Sequence, residues 1–279
     1  MNKEGIAVEN DIEVIYRYKY LPFNEGSLKM IADGTLKFTC PLDFNDPFDC
    51  MPAFDPKSIE SICEIRPDLI KKAGKELGYS PAKRIENKWR FRNNVKTAIA
   101  SGEFVKSIVR RMGIFCVSRT PCSPLMWSHY ADSHKGFVVE LRIAMDSPRE
   151  LIQQIIPSRV EYKKIRPIIN WATPDEYELE KYFFTKSEDW SYEQEERTIS
   201  LDRVAGIYPY SRNDFLCSVI AGTKIEEVNY ERLKNEIEKA SKVLGKKIQL
   251  RKAQLARNAY KIFIPGHLNQ DFNGSESNE

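Results

Sequence analysis

Short apolar runs alternate along this chain with two kinds of interruption: turns rich in proline and aspartate, and one long stretch of helical spacing. Ile12 to Tyr20 (IEVIYRYKY) alternates as a strand does, with Arg17 and Lys19 on one face and Tyr16, Tyr18 and Tyr20 on the other. Glu25 to Asp33 has its apolar residues at helical spacing and is closed by Gly34, which predicts a short capped helix. Thr35 to Thr39 predicts a second strand. The next stretch, PLDFNDPFDCMPAFDP, is too rich in proline and aspartate for regular structure. Its Leu42, Phe44, Phe48 and Phe54 predict a loop that packs. Ser58 to Met112 is helical in pattern, with helices expected over 58–77 (broken near Pro67), 81–100 and 103–112.

The stretch from Gly113 to Arg142 is the densest in the chain. Two strand-like runs, GIFCVSR and GFVVELR, flank TPCSPLMWSHYADSHK, which gathers Met126, Trp127, His129 and Tyr130 into one short segment. Downstream, strands are expected at 159–163, 195–201, 216–221, 247–254 and 260–264, and a helix at 174–185. Val228 to Leu244 predicts an amphipathic helix through Leu233, Ile237, Ala240 and Leu244. Lys186 to Gln194 reads as a polar lead into the 195–201 strand. From Gly266 onward no core-forming pattern is present, so 266–279 reads as a disordered tail. Together these elements predict an α+β fold: one domain over 1–265, with a mixed, mostly antiparallel sheet and a helical insertion at about 58–112.

Charge changes the picture in one place. The net charge is only +3, yet Lys71 to Arg111 holds twelve Lys or Arg against three Glu. Within that run Lys83, Arg84, Lys88, Arg90 and Arg92 surround Trp89 and Phe91, so the helices can follow a phosphate backbone and offer a stacking ring. The same charges also read as solvated helix faces. The opening residues lack the apolar run of a signal peptide, and no later stretch approaches the ~20 apolar residues that span a bilayer. The expectation is a cytoplasmic protein with no membrane partner. The six cysteines show neither a CxxC pair nor zinc-ligand spacing, so reduced, mostly buried thiols are expected.

Several groups can carry chemistry. Glu193, Glu195 and Arg197 share one face if that segment is extended, and two carboxylates so placed can divide acid and base duties. A solvated edge strand with ordinary ion pairs fits the same pattern. A slip of one residue exchanges the faces, so Glu193, Glu195 and Glu196 remain alternatives for a pocket. Arg17 can clamp a phosphate, and Ser118 can bond a ligand or cap its own turn. Asn45 and Asp46 suit a ribose or an amide, or simply make an Asx turn. Trp127, His129 and Tyr130 can stack on a planar ring or form a core cluster. No Gly-rich phosphate loop, HExxH, GxSxG or metal-ligand spacing occurs, and no metal site is expected.

The segments YRYKY, FNDPFDC, FCVSR with LMWSHYADSHKGFVVEL, and WSYEQEER together resemble the bacterial family called domain of unknown function 2971, across roughly Tyr16 to Tyr260. More distantly, a strand with Arg, a helix–Gly–strand unit, a strand with Ser and a strand with Glu-x-Glu are similar to ADP-ribosyltransferases of the Arg–Ser–Glu type, in particular their nucleic-acid-modifying members. That resemblance implies an ADP-ribosyltransferase-like fold and NAD as substrate. It places Arg17 on the NAD phosphates with Tyr18 beside it, Ser118 at the nicotinamide ribose, Glu195 as the catalytic glutamate and Glu193 as its partner. Trp127, His129 and Tyr130, with Asn45 and Asp46, would complete the cofactor site. The sequence departs from that pattern after Ser118, where Arg119-Thr120-Pro121 stands in place of a Ser-Thr-Ser triplet.

The implied acceptor is RNA, DNA or another macromolecule. The implied setting is a toxin or anti-phage effector with an antitoxin or other operon partner. Two rival readings use the same residues. One is a metal-dependent nuclease built on Asp43, Asp46, Asp49, Glu193, Glu195 and His129. The other is a non-catalytic nucleic-acid or protein-binding module resting on Lys88, Arg90 and Arg92.

Overall fold

The computed structural model describes residues 5–170, 178–200 and 203–267. Its centre is an eight-stranded sheet. Along its main path the strands run Gln249–Lys252, Leu216–Ala221, Phe137–Ala144, Ile12–Leu21, Gly113–Ser118, Glu195–Ser200 and Ser158–Arg159. The strand Ile6–Glu9 forms a hairpin on Ile12–Leu21. Only the pairing of Leu216–Ala221 with Gln249–Lys252 is parallel in this sheet. The α+β class and the mostly antiparallel sheet therefore stand as expected.

Alternation along the strands sorts the core onto two faces. On one, Val139, Leu141 and Val219 pack against Leu28, Met30 and Ile31 of the helix Glu25–Ala32 and against Leu233, Ile237 and Ala240 of the helix Glu227–Leu244. On the other, Tyr16, Tyr18, Tyr20, Val138 and Ile220 pack around Trp127 and Met126. The Glu25–Ala32 helix starts where the Asn24 side chain accepts the Ser27 amide N–H at 2.8 Å, and it is followed by Gly34 at φ +70°.

One joint in the sheet is incomplete, and it creates the site. Ile12–Leu21 pairs with Phe137–Ala144 over eight residues but with Gly113–Ser118 only at Tyr18 and Ser118. Beyond that pair the two strands diverge. Ile114 turns to Thr39 for its backbone partner. The Cys116 carbonyl is met instead by the Lys19 ammonium at 2.8 Å, so a side chain bridges the gap where ladder bonds would run.

Several expected bounds change. The 58–112 stretch breaks into Pro56–Glu60, Ile62–Ile65, Pro67–Glu76, Pro81–Glu86, Lys88–Ala100 and Glu103–Val109, shorter helices than the spacing predicts. Asn87 ends one helix and starts the next, which periodicity alone does not reveal. The polar lead 186–194 is a strand, Thr185–Ser187, followed by a 3₁₀ helix, Glu188–Glu193. The expected helix at 174–185 is seen as Glu178–Phe183, and its start lies outside the described residues. The strand at Gly206–Pro209, paired with Thr35–Phe38, was not expected. In the Pro41–Pro56 loop, Phe44 and Phe54 pack, whereas Leu42 and Phe48 stay exposed. Gly266 and His267 of the expected 266–279 tail are described. Ile264 and His267 are buried, His267 because its ring bonds Glu140 at 2.8 Å, and the rest of the tail lies outside the described residues.

Candidate functional site

The gap between the diverging strands opens into a cavity of about 310 Å³. Lys19, Cys116, Val117 and Ser118 line it from the two strands, Phe44 and Asn45 from the proline-rich loop, His129 and Tyr130 from the helix Pro124–Tyr130, and Lys186, Glu193 and Glu195 from the segment before and into the last strand. The helix is fixed in place by Ser123 at its N-cap, Pro124 at its first position, and buried Trp127, whose indole N–H donates to the Pro121 carbonyl at 2.8 Å.

Three buried carboxylates and the buried Lys186 form the cavity's floor, with buried Arg197 behind them. The Lys186 ammonium contacts Glu195 at 3.0 Å and Asp49 at 3.5 Å and also donates to Glu193. Arg197 donates through Nε to Glu195 at 2.7 Å and through Nη2 to Asp49 at 2.7 Å, while Nη1 reaches the Phe183 carbonyl at 2.7 Å. The Tyr130 hydroxyl donates to Glu193 Oε1 at 2.6 Å, and the exposed Asn45 amide lies 3.3 Å from that hydroxyl. Gln194 sits at φ 45°, in the left-handed region, between the end of the 3₁₀ helix and the strand. That kink costs about 1 kcal/mol for a non-glycine residue and lets Glu193 and Glu195 meet one lysine from two different elements.

The two glutamates are driven apart in acidity. Burial raises the Glu193 carboxyl, Lys186 offsets part of that, and the neighbouring Glu195 charge raises it again, so it stands above the usual carboxylate range. Burial also opposes the Glu195 charge, but Arg197 and then Lys186 outweigh it and hold this carboxyl well below that range. For Lys186 burial works against the charge, and Glu195, Glu193 and Asp49 together outweigh it and raise the ammonium. Environments that separate two carboxylates in this way make one the more basic proton carrier and the other a fixed anion.

These shifts predict how stability varies with pH. Glu195 contributes stability that is complete above its ordinary 4.5 and is lost as pH falls toward its folded value. Lys186 contributes stability that is complete below its ordinary 10.5 and is lost as pH rises through its folded value. Glu193, being raised, has the opposite sign to Glu195 and weakens the fold as pH climbs above 4.5. Urea unfolding from about pH 3 to about pH 7 is expected to show a loss of stability on the acid side that is smaller in Glu195→Gln. An acid limb unchanged by that substitution would contradict the assignment.

The expected site residues fall into three groups. Tyr18, Asn45, Ser118, His129, Tyr130, Glu193 and Glu195 all line the cavity. Within this group Tyr18 gives its hydroxyl to Glu140 at 3.2 Å. Ser118 donates to the Glu193 carbonyl at 2.6 Å and accepts the Thr120 amide N–H at 3.2 Å, so it aims Glu193 and is not turned to a ribose. The second group is near but turned away. Trp127 is fully buried in the tyrosine cluster, and Asp46 accepts the Phe48 amide N–H at 2.9 Å and lines a neighbouring cleft.

Arg17 is the clearest correction. It lies outside the cavity lining and is bound through Nη2 at 3.0 Å and through Nε to Glu196, both residues buried. Successive residues of a strand point to opposite faces, so Glu196 faces away from the side that holds Glu195 and Arg197. A phosphate has no route to Arg17 without breaking that buried pair.

The third group, Lys83, Arg84, Lys88, Trp89, Arg90 and Arg92, lies on the insertion helices and contributes nothing to the cavity. Trp89 is 67% exposed among Lys88 and Arg90, and no residue of Pro81–Glu86 or Lys88–Ala100 is buried. Lys186 and Lys19 were not singled out. Lys186 sits in a polar run that reads as surface, and its partners Asp49, Glu193 and Glu195 are gathered only by the fold.

Residues 126–198 match the model of a family described as protein of unknown function (DUF2971). This stretch is a DUF2971 segment. It supplies His129, Tyr130, Lys186, Glu193 and Glu195, which are most of the floor and one wall of the cavity, and Arg197 behind them. Asp49 and the strands carrying Lys19 and Ser118 complete the site from outside the DUF2971 match. No curated protein and no solved structure matches the chain. Among the described residues no helix is long and apolar enough to cross a membrane, and no group of three His, Cys, Asp or Glu is placed to hold a metal ion.

Proposed function

We propose that the cavity takes the nicotinamide riboside end of NAD and that the protein transfers ADP-ribose to a nucleic acid or another macromolecule. The observation that carries this reading is a surplus of negative charge in a ring-lined cavity. Asp43, Asp49, Glu193 and Glu195 face the cavity against Lys19 and Lys186, with Arg197 behind them. Four carboxylates therefore meet three cations. Nicotinamide in NAD is a cationic ring, and breaking its bond to ribose passes through an oxocarbenium-like state that gathers positive charge on the sugar. A fixed anion in a site of low dielectric stabilises that charge, which is the role of Glu195. Glu193, a carboxylate made more basic by its surroundings, takes the proton that the acceptor nucleophile loses as it bonds the ribose carbon and neutral nicotinamide departs. Tyr130, His129 and Phe44 offer ring faces to the nicotinamide. The adjacency of the Arg, Ser and Glu strands in the sheet also supports the distant ADP-ribosyltransferase resemblance.

The acceptor is read from the insertion, where exposed Lys83, Lys88, Trp89 and Arg90 suit a single-stranded nucleic acid. A metal-dependent nuclease fits less well. The Lys186 ammonium stands among Asp49, Glu193 and Glu195, where a divalent ion would have to sit.

The test is nicotinamide release from labelled NAD by the purified protein with RNA, DNA or cell lysate. Wild type is expected to release nicotinamide and label one fraction. Glu195→Gln, with its fold checked by thermal unfolding, is expected to lose about a hundredfold or more. No turnover with any acceptor, or an indifferent Glu195→Gln, overturns the reading.

A further inference from the structure

A second cavity, of about 210 Å³, lies beside the first, and Asp49 and Lys186 line both. Its character is opposite. Lys163, which ends the strand Glu161–Lys163, and Lys164 and Arg166 from the turn after it face the cleft together with Lys186. Against these four cations stand Asp46 and Asp49. Asp49 is already held by Arg197 and Lys186, and Asp46 accepts the Phe48 amide N–H at 2.9 Å. Among the described residues the lysines have exchangeable surface partners, Lys163 with Glu161 at 3.0 Å and Lys164 with Glu188 at 3.6 Å, all about half exposed or more. Such exposed pairs are weak and yield readily to a stronger anion. Arg166 is anchored: its Nε donates to the Tyr182 hydroxyl at 2.9 Å and its guanidinium lies 5.4 Å from the Phe48 ring centre.

We propose that this basic cleft is a diphosphate-binding subsite, bound by Lys163, Lys164 and Arg166, for a nucleotide whose sugar end occupies the acidic cavity. The assignment to a nucleotide rests on the NAD reading above; the affinity for diphosphate does not. A diphosphate is repelled by the four carboxylates of the first cavity and attracted by the four cations of the second. A ligand with a cationic ring at one end and two phosphates in its middle is matched by the sequence of charges across the Asp49–Lys186 wall. The cleft also supplies what Arg17 cannot, because Arg17 is committed to Glu196.

Calorimetric titration with inorganic pyrophosphate tests the subsite without reference to NAD. Wild type is expected to bind. Lys163→Ala/Lys164→Ala/Arg166→Ala is expected to lose about tenfold or more in affinity, since the charge-assisted bonds to phosphate are removed. Lys234→Ala/Lys239→Ala/Lys242→Ala, with the same change of charge on the Glu227–Leu244 helix, is expected to bind as wild type. If loss of the Arg166 anchor impairs folding, Lys163→Ala/Lys164→Ala is used in its place. Absent binding, or equal affinity in the cleft and helix variants, overturns the subsite even if NAD is turned over through Glu195. Binding lost only in the cleft variant, with no NAD turnover, upholds the subsite and removes the transferase reading. ADP-ribose is expected to displace pyrophosphate at a lower concentration of phosphate groups than a single-stranded oligonucleotide does. The reverse order assigns the cleft to a polynucleotide backbone and overturns the nucleotide assignment.

Discussion

Lys186→Met is expected to lower the unfolding free energy by about 3–5 kcal/mol, the cost of leaving buried charge without its partner. Among the described residues Lys186 is the one cation that touches Asp49, Glu193 and Glu195 at once. Arg197 still serves Asp49 and Glu195 in the variant. Glu193 keeps only the Tyr130 hydroxyl of the partners described for its carboxylate, so its charge becomes the costly one. Its carboxyl, already raised by burial, rises further without the lysine. A raised carboxyl costs stability above its ordinary 4.5 and ceases to cost it once protonated. The deficit of Lys186→Met is therefore expected to shrink as pH falls toward 5, and urea midpoints at about pH 5 and about pH 8 measure it. A deficit equal at both values would mean that the lysine serves by packing alone. Nicotinamide release should fall together with stability at neutral pH, because the same lysine holds both glutamates in place.

The sequence made the scaffold legible and left the electrostatics hidden, for a physical reason. Strand and helix periods depend on neighbours two, three or four residues away, so Ile12–Leu21, Leu216–Ala221 and Glu227–Leu244 were readable almost to their ends. His129, Tyr130, Glu193 and Glu195 stood out as members of short unusual clusters, but which of Glu193, Glu195 and Glu196 faces the cavity did not, because it turns on a one-residue register. What periodicity cannot carry is pairing at a distance. Whether Arg17 faced a ligand or Glu196 depended on a neighbouring strand and on a one-residue register. Lys186 looked like surface because its run is polar, and the short strand that buries it, Thr185–Ser187, pairs with Glu161–Lys163 well upstream. The left-handed Gln194 gave no signal, since glutamine has no special preference for that region.

The two cavities divide charge between them, and this division gives the site a direction. A wall made of one carboxylate and one ammonium, Asp49 and Lys186, stands between an acidic cavity lined with rings and a basic cleft. Each half would bind its own fragment weakly, and a single ligand spanning both gains from the second contact without a second loss of translational freedom. Affinity for intact NAD or ADP-ribose should therefore exceed that for nicotinamide or pyrophosphate alone.

Arg17 then becomes the sharpest test of what the fold itself requires. Arg17→Met is expected to cost about 3 kcal/mol, because it strips Glu196 of its bidentate partner inside the sheet. Arg119 and Arg159 stand 3.9 and 3.7 Å from the same carboxylate and moderate the loss without replacing the fork. Arg17→Met/Glu196→Leu removes both charges and is expected to recover most of that stability, since replacing a buried pair by apolar groups is often neutral. The non-additivity of the double-mutant cycle measures the pair directly. Pyrophosphate affinity separates the two roles assigned to this arginine: a structural Arg17 leaves it unchanged in the double variant. Stability restored with binding lost would return Arg17 to the phosphates and displace the Lys163–Arg166 cleft from that role.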